Sequence, residues 1–281
     1  MIAYFNGRYL PKDEIHISPD DRGFLLADGV YEVIRSYNGA LFQCAEHLGR
    51  LAIGLAALRI TVVPSDELRQ AAERLLQENE LTTGDATVYL QVTRGVAPRR
   101  HRFPEPSTLP SVYVTVRQFQ PYARELAEGG AAILVPDQRW ARCDIKTIGL
   151  LANAMANQRA WEVGAFEALF VRDGVVLEGS HTNVFFVHDG RLLTAPLSNC
   201  VLPGITREVV LTAAARLGLP VEFRCCFESD LPDMDEIFLC GTTVEITPVV
   251  SLNGKPVGCG TPGPVAQLMQ GELRKLTGTA G

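Results

Sequence analysis

The sequence predicts an α+β, or mixed-sheet α/β, protein built from two domains. Three observations predict it. The chain has 281 residues, enough for two domains of roughly 150 residues each. Two-residue turns of the Asn-Gly and Asp-Gly type stand at Asn38-Gly39, Asp173-Gly174, Asp189-Gly190 and Asn253-Gly254, and such turns join antiparallel strands. Amphipathic helical patterns lie between the strand pairs, which argues against both an all-β protein and a plain parallel sheet.

In chain order, Ala3 to Arg8 reads as a short strand. Val30 to Tyr37 follows as a second one, rich in β-branched and aromatic residues. Glu46 to Ile60 sets Leu48, Leu51, Leu55 and Leu58 on one helical face, and Ser65 to Asn79 repeats the pattern with acidic residues in its first turn. Strands return at Ala86 to Thr93 and Ser111 to Phe119. Between them, Arg94 to Pro110 is too polar and too interrupted by proline to pack as an element, and loops of that length are often functional. The sequence turns polar around Gln118 to Arg124, which places a domain boundary near 120, with a smaller N-terminal domain 1–120 and a larger one 121–281.

Past that boundary, a strand at Ala131 to Pro136, a helix at Leu150 to Val163 and a strand at Glu167 to Arg172 are expected. Strands at Val176 to Glu178 and Asn183 to His188 come next, then a helix from Thr206 to Leu217. Strands at Glu236 to Cys240 and Ile246 to Leu252 and a last helix at Pro264 to Leu276 complete the reading. No internal repeat or low-complexity tract interrupts it.

Composition narrows the function. With 47% hydrophobic and 21% charged residues the chain can bury a large core. A net charge of -6 with scattered arginines offers no footprint for nucleic acid. No apolar stretch is long enough for a signal core or a bilayer span, so a soluble cytoplasmic protein is expected. The seven cysteines include no C-x-x-C pair and no zinc-like spacing with histidine, so no metal site is expected and reduced thiols are the simplest reading.

Lysine usage is more informative, because only four lysines stand against 22 arginines: Lys12, Lys146, Lys255 and Lys275. An amine serves as a nucleophile near neutral pH when burial or neighbouring cations ease its proton off. Lys12, Lys255 and Lys275 lie in polar or charged surroundings. Lys146 lies between Ile145 and Ile148, ahead of an apolar helix. A structural lysine paired with Asp144 is the alternative.

Other residues suggest a phosphate-bearing cofactor. Gly204-Ile205-Thr206 opens a helix, where Gly204 permits close backbone approach and the amides of Ile205 and Thr206 face an anion. Gly241-Thr242-Thr243 offers a second hydroxyl-rich turn, or an ordinary hairpin end. Arg50 could add a forked contact or be a solvated helical charge. Glu178, in an apolar strand, needs a cationic partner if buried, such as a protonated pyridine nitrogen; an exposed strand end is the alternative. Arg99 and His101, in the long loop, could grip a carboxylate with help from Tyr31, or form a solvated basic loop.

The residues so assembled resemble the class IV, or fold-type-IV, pyridoxal-phosphate aminotransferases, on their D-amino-acid branch. The most specific stretches are Asp21-Arg22-Gly23 with Asp28 to Val33, Gln91 to Gly95 with Arg99-Arg100-His101, and Arg142 to Lys146. Glu178-Gly179-Ser180 with Asn183, Gly204 to Arg207 and Glu245 to Pro248 complete the set. The resemblance implies a two-domain fold with the active site in the cleft between the domains, and pyridoxal 5'-phosphate joined to Lys146, which also acts as general acid and base. It implies that Glu178 partners the pyridine nitrogen, that Arg50, Ile205, Thr206 and Thr242 hold the phosphate, and that Leu202 packs on the ring. Tyr31, Arg99 and His101 resemble the substrate-carboxylate trap, the last two arriving from the neighbouring subunit of a homodimer. The implied reaction is a ping-pong exchange between a D-amino acid and a 2-oxo acid.

His181, Thr182, Gly241 and Val244 depart from the family pattern around the ring and phosphate. The rivals are a branched-chain L-amino-acid aminotransferase, an amine transaminase, an aminodeoxychorismate lyase and a binding protein that has lost the chemistry. Arg99 and His101 speak against the first two, and Lys146 with Glu178 against the last.

Overall fold

The computed structural model describes residues 1–279, and the chain divides into two units. One comprises Met1–Gln120 with Ile145–Leu150; the other comprises Pro121–Asp144 with the described residues from Leu151 onward.

In the first unit, β1 (Ile2–Phe5) and β2 (Arg8–Pro11) form a hairpin. The single strand expected at Ala3 to Arg8 is therefore two, because Asn6 and Gly7 take positive φ (47° and 83°) and reverse the chain. A short helix, α1 (Arg22–Leu26), is capped by Asp21, whose carboxylate accepts the Gly23 amide at 2.8 Å. Five residues are too few to show helical periodicity, which is why the sequence reading lacks it.

The remaining elements are β3 (Gly29–Tyr37), β4 (Ala40–Leu41), α2 (Cys44–Leu58), α3 (Ser65–Glu78), β5 (Asp85–Thr93) and β6 (Ser111–Gln118). The six strands form an antiparallel sheet in the order β2-β1-β6-β5-β3-β4. Alternation along β5 and β6 turns Val88, Leu90, Val92, Val112, Val114 and Val116 to one core. Against it lie Leu48, Leu51 and Leu55 of α2 and Leu68, Ala72 and Leu75 of α3, spaced three or four apart, with Leu76 beside them. Each such side chain, fully buried, stabilises the fold by about 1.5–3 kcal/mol.

Ile145–Leu150 adds to this unit at the edge of β3. Thr147 bridges to Val30, the Tyr31 amide donates to the Lys146 carbonyl at 3.0 Å, and the Ile148 amide donates to the Gly29 carbonyl at 3.1 Å. Ile145 enters the same core.

The second unit begins with α4 (Ala123–Glu128), a short helix in what reads as polar connection. Then come β7 (Gly130–Pro136), α5 (Leu151–Glu162), β8 (Glu167–Arg172), β9 (Val175–Gly179), β10 (Asn183–His188) and β11 (Arg191–Thr194). After α6 (Ile205–Arg216) follow β12 (Val221–Phe223), β13 (Cys226–Phe227), β14 (Glu236–Gly241), β15 (Glu245–Leu252), β16 (Lys255–Pro256) and α7 (Pro264–Thr277). The sheet runs β12-β11-β10-β14-β15-β7-β8-β9-β13, with β16 beside β15.

It is a mixed sheet, as the hairpin turns with interposed helices predict. β7 and β8 are parallel across α5, and β11 and β12 are parallel across α6, while β8–β9, β10–β11 and β14–β15 are antiparallel hairpins. Phe185 and Phe238 face one another across β10 and β14 with stacked rings 5.2 Å apart. No helix among the described residues is long and apolar enough to cross a membrane.

Candidate active site

The four lysines separate clearly. Lys12 and Lys255 are exposed, and Lys275 is 69% exposed and paired with Glu272 at 2.6 Å. Lys146 is half-buried, and its Nζ lies 4.4 Å from the centre of the Tyr31 ring. The structural alternative, pairing with Asp144, finds no support: that carboxylate is taken by Arg142 through bonds of 2.9 and 2.8 Å. Strand pairing explains the placement, since Tyr31 binds the Lys146 backbone directly. Tyr31 in turn stacks on Tyr89 at 5.8 Å.

Beside Tyr31, the two-residue period of β3 turns Glu32 toward α2, onto the face of Val30 and Ile34. On α2, His47 and Arg50 are three residues apart and share a side of the helix. Arg50 grips Glu32 with Nε at 2.6 Å and Nη2 at 2.8 Å, and His47 Nδ1 lies 2.8 Å from Glu32 Oε2. Burial alone would raise the Glu32 carboxyl, but the hydrogen bonds and charge of Arg50, seconded by His47, hold it down at about 2. Burial pushes His47 below its ordinary value. The ring is thus neutral near pH 7, and with an ionised carboxylate opposite, its Nδ1–H is the donor.

Arg50 is therefore no solvated helical charge; its side chain is 10% exposed. Glu32 and His47 are given no role by the sequence. The signal that could have found them is a carboxylate at a core-facing position of an otherwise apolar strand, which demands buried partners.

Arg99 and His101 lie exposed on the loop between β5 and β6. Among the described residues neither is hydrogen-bonded to Tyr31 or Lys146, so the structure brings Tyr31 to the lysine but leaves the basic pair on its loop.

In the second unit Glu178 is buried, 2% exposed, which removes the exposed strand-end alternative. Its Oε2 accepts the Leu202 amide at 2.9 Å and Asn183 Nδ2 at 3.1 Å, and its Oε1 accepts Arg139 Nη1. Arg139 also binds Asp137 through Nε and Nη2, both at 3.0 Å, and lies 4.2 Å over the Phe170 ring. Burial works against the charge on Arg139, but Asp137 and Glu178 outweigh it and keep the guanidinium protonated. Sequence reading missed Arg139 because its partner stands far along the chain.

Asn183 extends this network to the start of α6. It donates to the Leu202 carbonyl at 3.0 Å, and a Cβ on Gly204 would lie 1.8 Å from its Oδ1. A side chain there would have to displace the Asn183 amide, and with glycine α6 begins at Ile205 without any side-chain cap on its first amides. Thr206 is buried in that first turn. Thr242 sits in the turn between β14 and β15, half-buried.

The four departures form one cluster. A Cβ on Gly241 would lie 3.4 Å from Val244, 3.5 Å from the His181 carbonyl and 3.7 Å from Thr182. Beneath it, buried Glu167 accepts Ser180 Oγ at 2.6 Å, Thr182 Oγ1 at 2.9 Å and the Ala168 amide at 2.8 Å.

This donor set suits pyridoxal phosphate. Taken one by one, a sheltered amine can bond to its aldehyde, a buried carboxylate ion-paired with Arg139 can accept from a protonated ring nitrogen, and uncapped helix amides suit a phosphate.

Known proteins agree in kind. The family model described as amino-transferase class IV matches residues 29–252. A D-alanine aminotransferase of Bacillus licheniformis is 40% identical over 98% of this chain and 96% of its own. One from Listeria monocytogenes is 40% identical over 100% of this chain and 98% of its own. Among solved structures, the branched-chain amino acid aminotransferase of Thermoproteus uzoniensis, with norvaline, superimposes with a TM-score of 0.88 at 27% identity, covering 100% of this chain and 96% of that one. A second branched-chain amino acid aminotransferase, with pyridoxamine 5'-phosphate, gives 0.89 at 30% identity, covering 99% and 94%.

Proposed function

The chain belongs to the class IV aminotransferases, and on that premise we propose that it moves the amino group of a D-amino acid, D-alanine first, to a 2-oxo acid such as 2-oxoglutarate. The observation that carries this reading is whole-length identity of 40% to proteins named D-alanine aminotransferases, joined to a single sheltered lysine.

Bound pyridoxal phosphate supplies an electron sink for the pair left on substrate Cα when its proton departs. Lys146 would anchor the cofactor between turnovers and act as the general acid and base that takes and returns the proton at substrate Cα. Glu178 accepts from the ring nitrogen while Arg139 holds its other oxygen. Arg50, Ile205, Thr206 and Thr242 bind the phosphate, and Leu202 packs on the ring. Tyr31, Arg99 and His101 bind and orient the substrate carboxylate, the forked arginine matching its two oxygens.

In this reading the protein is cytoplasmic, in keeping with its unpaired cysteines, and works as a homodimer in which Arg99 and His101 serve the neighbouring subunit. Sedimentation should give a mass near twice 30.7 kDa. A branched-chain L-specific enzyme is the second reading, favoured by the solved structures it superimposes on. Purified protein loaded with cofactor should transaminate D-alanine with 2-oxoglutarate; turnover of L-leucine alone would overturn the first reading in favour of the second.

A further inference from the structure

The loop that carries Arg99 and His101 has no helix or strand of its own, yet a carboxylate trap needs its side chains held in place. Its ends are fixed by backbone. The Arg22 amide donates to the Gly95 carbonyl at 2.9 Å, the Arg94 amide to the Asp28 carbonyl at 3.0 Å and the Ala97 amide to the Asp20 carbonyl at 3.3 Å. Gly95 stands so near the Leu109 carbonyl that a Cβ would come within 1.9 Å of it, so the two ends of the loop meet.

The middle is held differently. Asp28 accepts Arg22 Nε at 2.7 Å and Arg94 Nε and Nη2 at 2.8 and 2.9 Å. The two guanidinium groups are buried, 3% and 6% exposed. Their outward N–H groups find carbonyls: Arg94 binds those of Arg59 at 2.9 Å and Leu58 at 2.7 Å, and Arg22 Nη1 binds that of Arg100 at 2.6 Å. The Arg94 guanidinium also lies 3.7 Å over the Phe103 ring. Two buried cations and the carboxylate between them are costly to desolvate. Apolar residues could close the loop more cheaply; what they could not do is fix one peptide carbonyl by a directional bond. Arg100 is the residue between Arg99 and His101, and its bond to Arg22 is the hydrogen bond that ties the backbone from Pro98 to Phe103 to the rest of the unit among the described residues.

We propose that Arg22, oriented by Asp28 and Arg94, is a positioning residue that sets Arg99 and His101 for the substrate carboxylate by pinning the peptide between them. Asp28 also leads directly into β3, three residues ahead of Tyr31, so one carboxylate registers the loop and the tyrosine against each other. The proposal rests on the reading of Arg99 and His101 as a carboxylate trap.

The test is Arg22→Lys, which keeps a cation beside Asp28 but cannot present a fork. In the cofactor-loaded enzyme, KM for D-alanine should rise roughly tenfold, the scale on which small misplacements act, with kcat at saturation within about twofold and the melting temperature little changed. Trypsin should cut faster at Arg99, Arg100 and Arg102. In an Arg99→Ala background the added change at Arg22 should raise KM by much less than in the wild type, since only His101 is left for it to misplace. An unmoved KM and trypsin rate, or full additivity with Arg99→Ala, overturns the proposal. Should Arg22→Lys not fold, Phe103→Leu, which removes the half-exposed ring over Arg94, decides by the same measures with a smaller rise. A wild-type enzyme inert toward every amino acid sinks the transaminase reading, and the substrate role of the clamp with it, whereas normal wild-type turnover with an unmoved KM in the variant sinks the clamp alone.

Discussion

Lys146 and Glu32 are the residues on which single changes should speak most clearly. Lys146→Ala should abolish transamination and the visible absorbance of the lysine-bound cofactor, and borohydride labelling of the wild type should map to residue 146; a label elsewhere ends the assignment. Glu32 gives a pH signature. Its carboxyl is held at about 2 in the folded protein, against 4.5 ordinarily. It therefore contributes stability that is fully present above the ordinary value and lost as pH falls toward 2, on the order of 3 kcal/mol at neutral pH. Glu32→Gln should lower the denaturation midpoint at pH 7 and flatten the acid limb between roughly pH 4.5 and 2; parallel acid limbs in the two proteins would refute the buried pair. These residues also show how far the sequence could be read. Lys146 stood out because only four lysines compete. Glu32, His47 and Arg139 did not, because a buried charge is recognised by its partners, and those lie 15 to 39 residues away.

Helices and strands tell a similar story one level up. Long elements with clear periodicity were legible to within a residue or two, as with α3, β8 and β10. The hairpin at Asn6-Gly7 and the short pieces α1, α4 and β11 to β13 were not, since a few residues carry no period and pairing alone defines them. Capping was equally hidden. The first amides of α7 are taken by Glu236, which accepts Val265 and Ala266, both at 2.9 Å, from β14. Glu236→Gln should therefore cost about 1–2 kcal/mol, seen as a lower denaturant midpoint with unchanged slope. At the start of α6, Gly204→Ala would drive a methyl into Asn183 and disturb the ring of bonds around Glu178. Overpacking of this kind costs about 1–3 kcal/mol, and the variant should also release cofactor faster on dialysis. Retention at the wild-type rate would show that Asn183 yields freely.

Across the whole molecule, cofactor and fold should be linked. A ligand bound only by the native state at a hundred times its dissociation constant stabilises it by about 2.7 kcal/mol. Added pyridoxal phosphate should raise the melting temperature of the stripped enzyme, and by less in Lys146→Ala, which lacks the covalent attachment; an equal rise in both would place the bond elsewhere. The fold class was legible from hairpin turns and interposed helices together. Composition shifts near residue 120, but the return of Ile145–Leu150 to the first unit could not be read, because six residues paired to the edge of β3 leave no compositional trace.

That return makes the first unit discontinuous along the gene. A fragment ending at Gln120 would lack the strand-like stretch that satisfies the Tyr31 amide and the Gly29 carbonyl, and it would lack the reactive amine as well. Swapping this unit between relatives as a single cassette would thus import a sheet edge without its natural cover; a working chimera needs two crossover segments, one of them only six codons long.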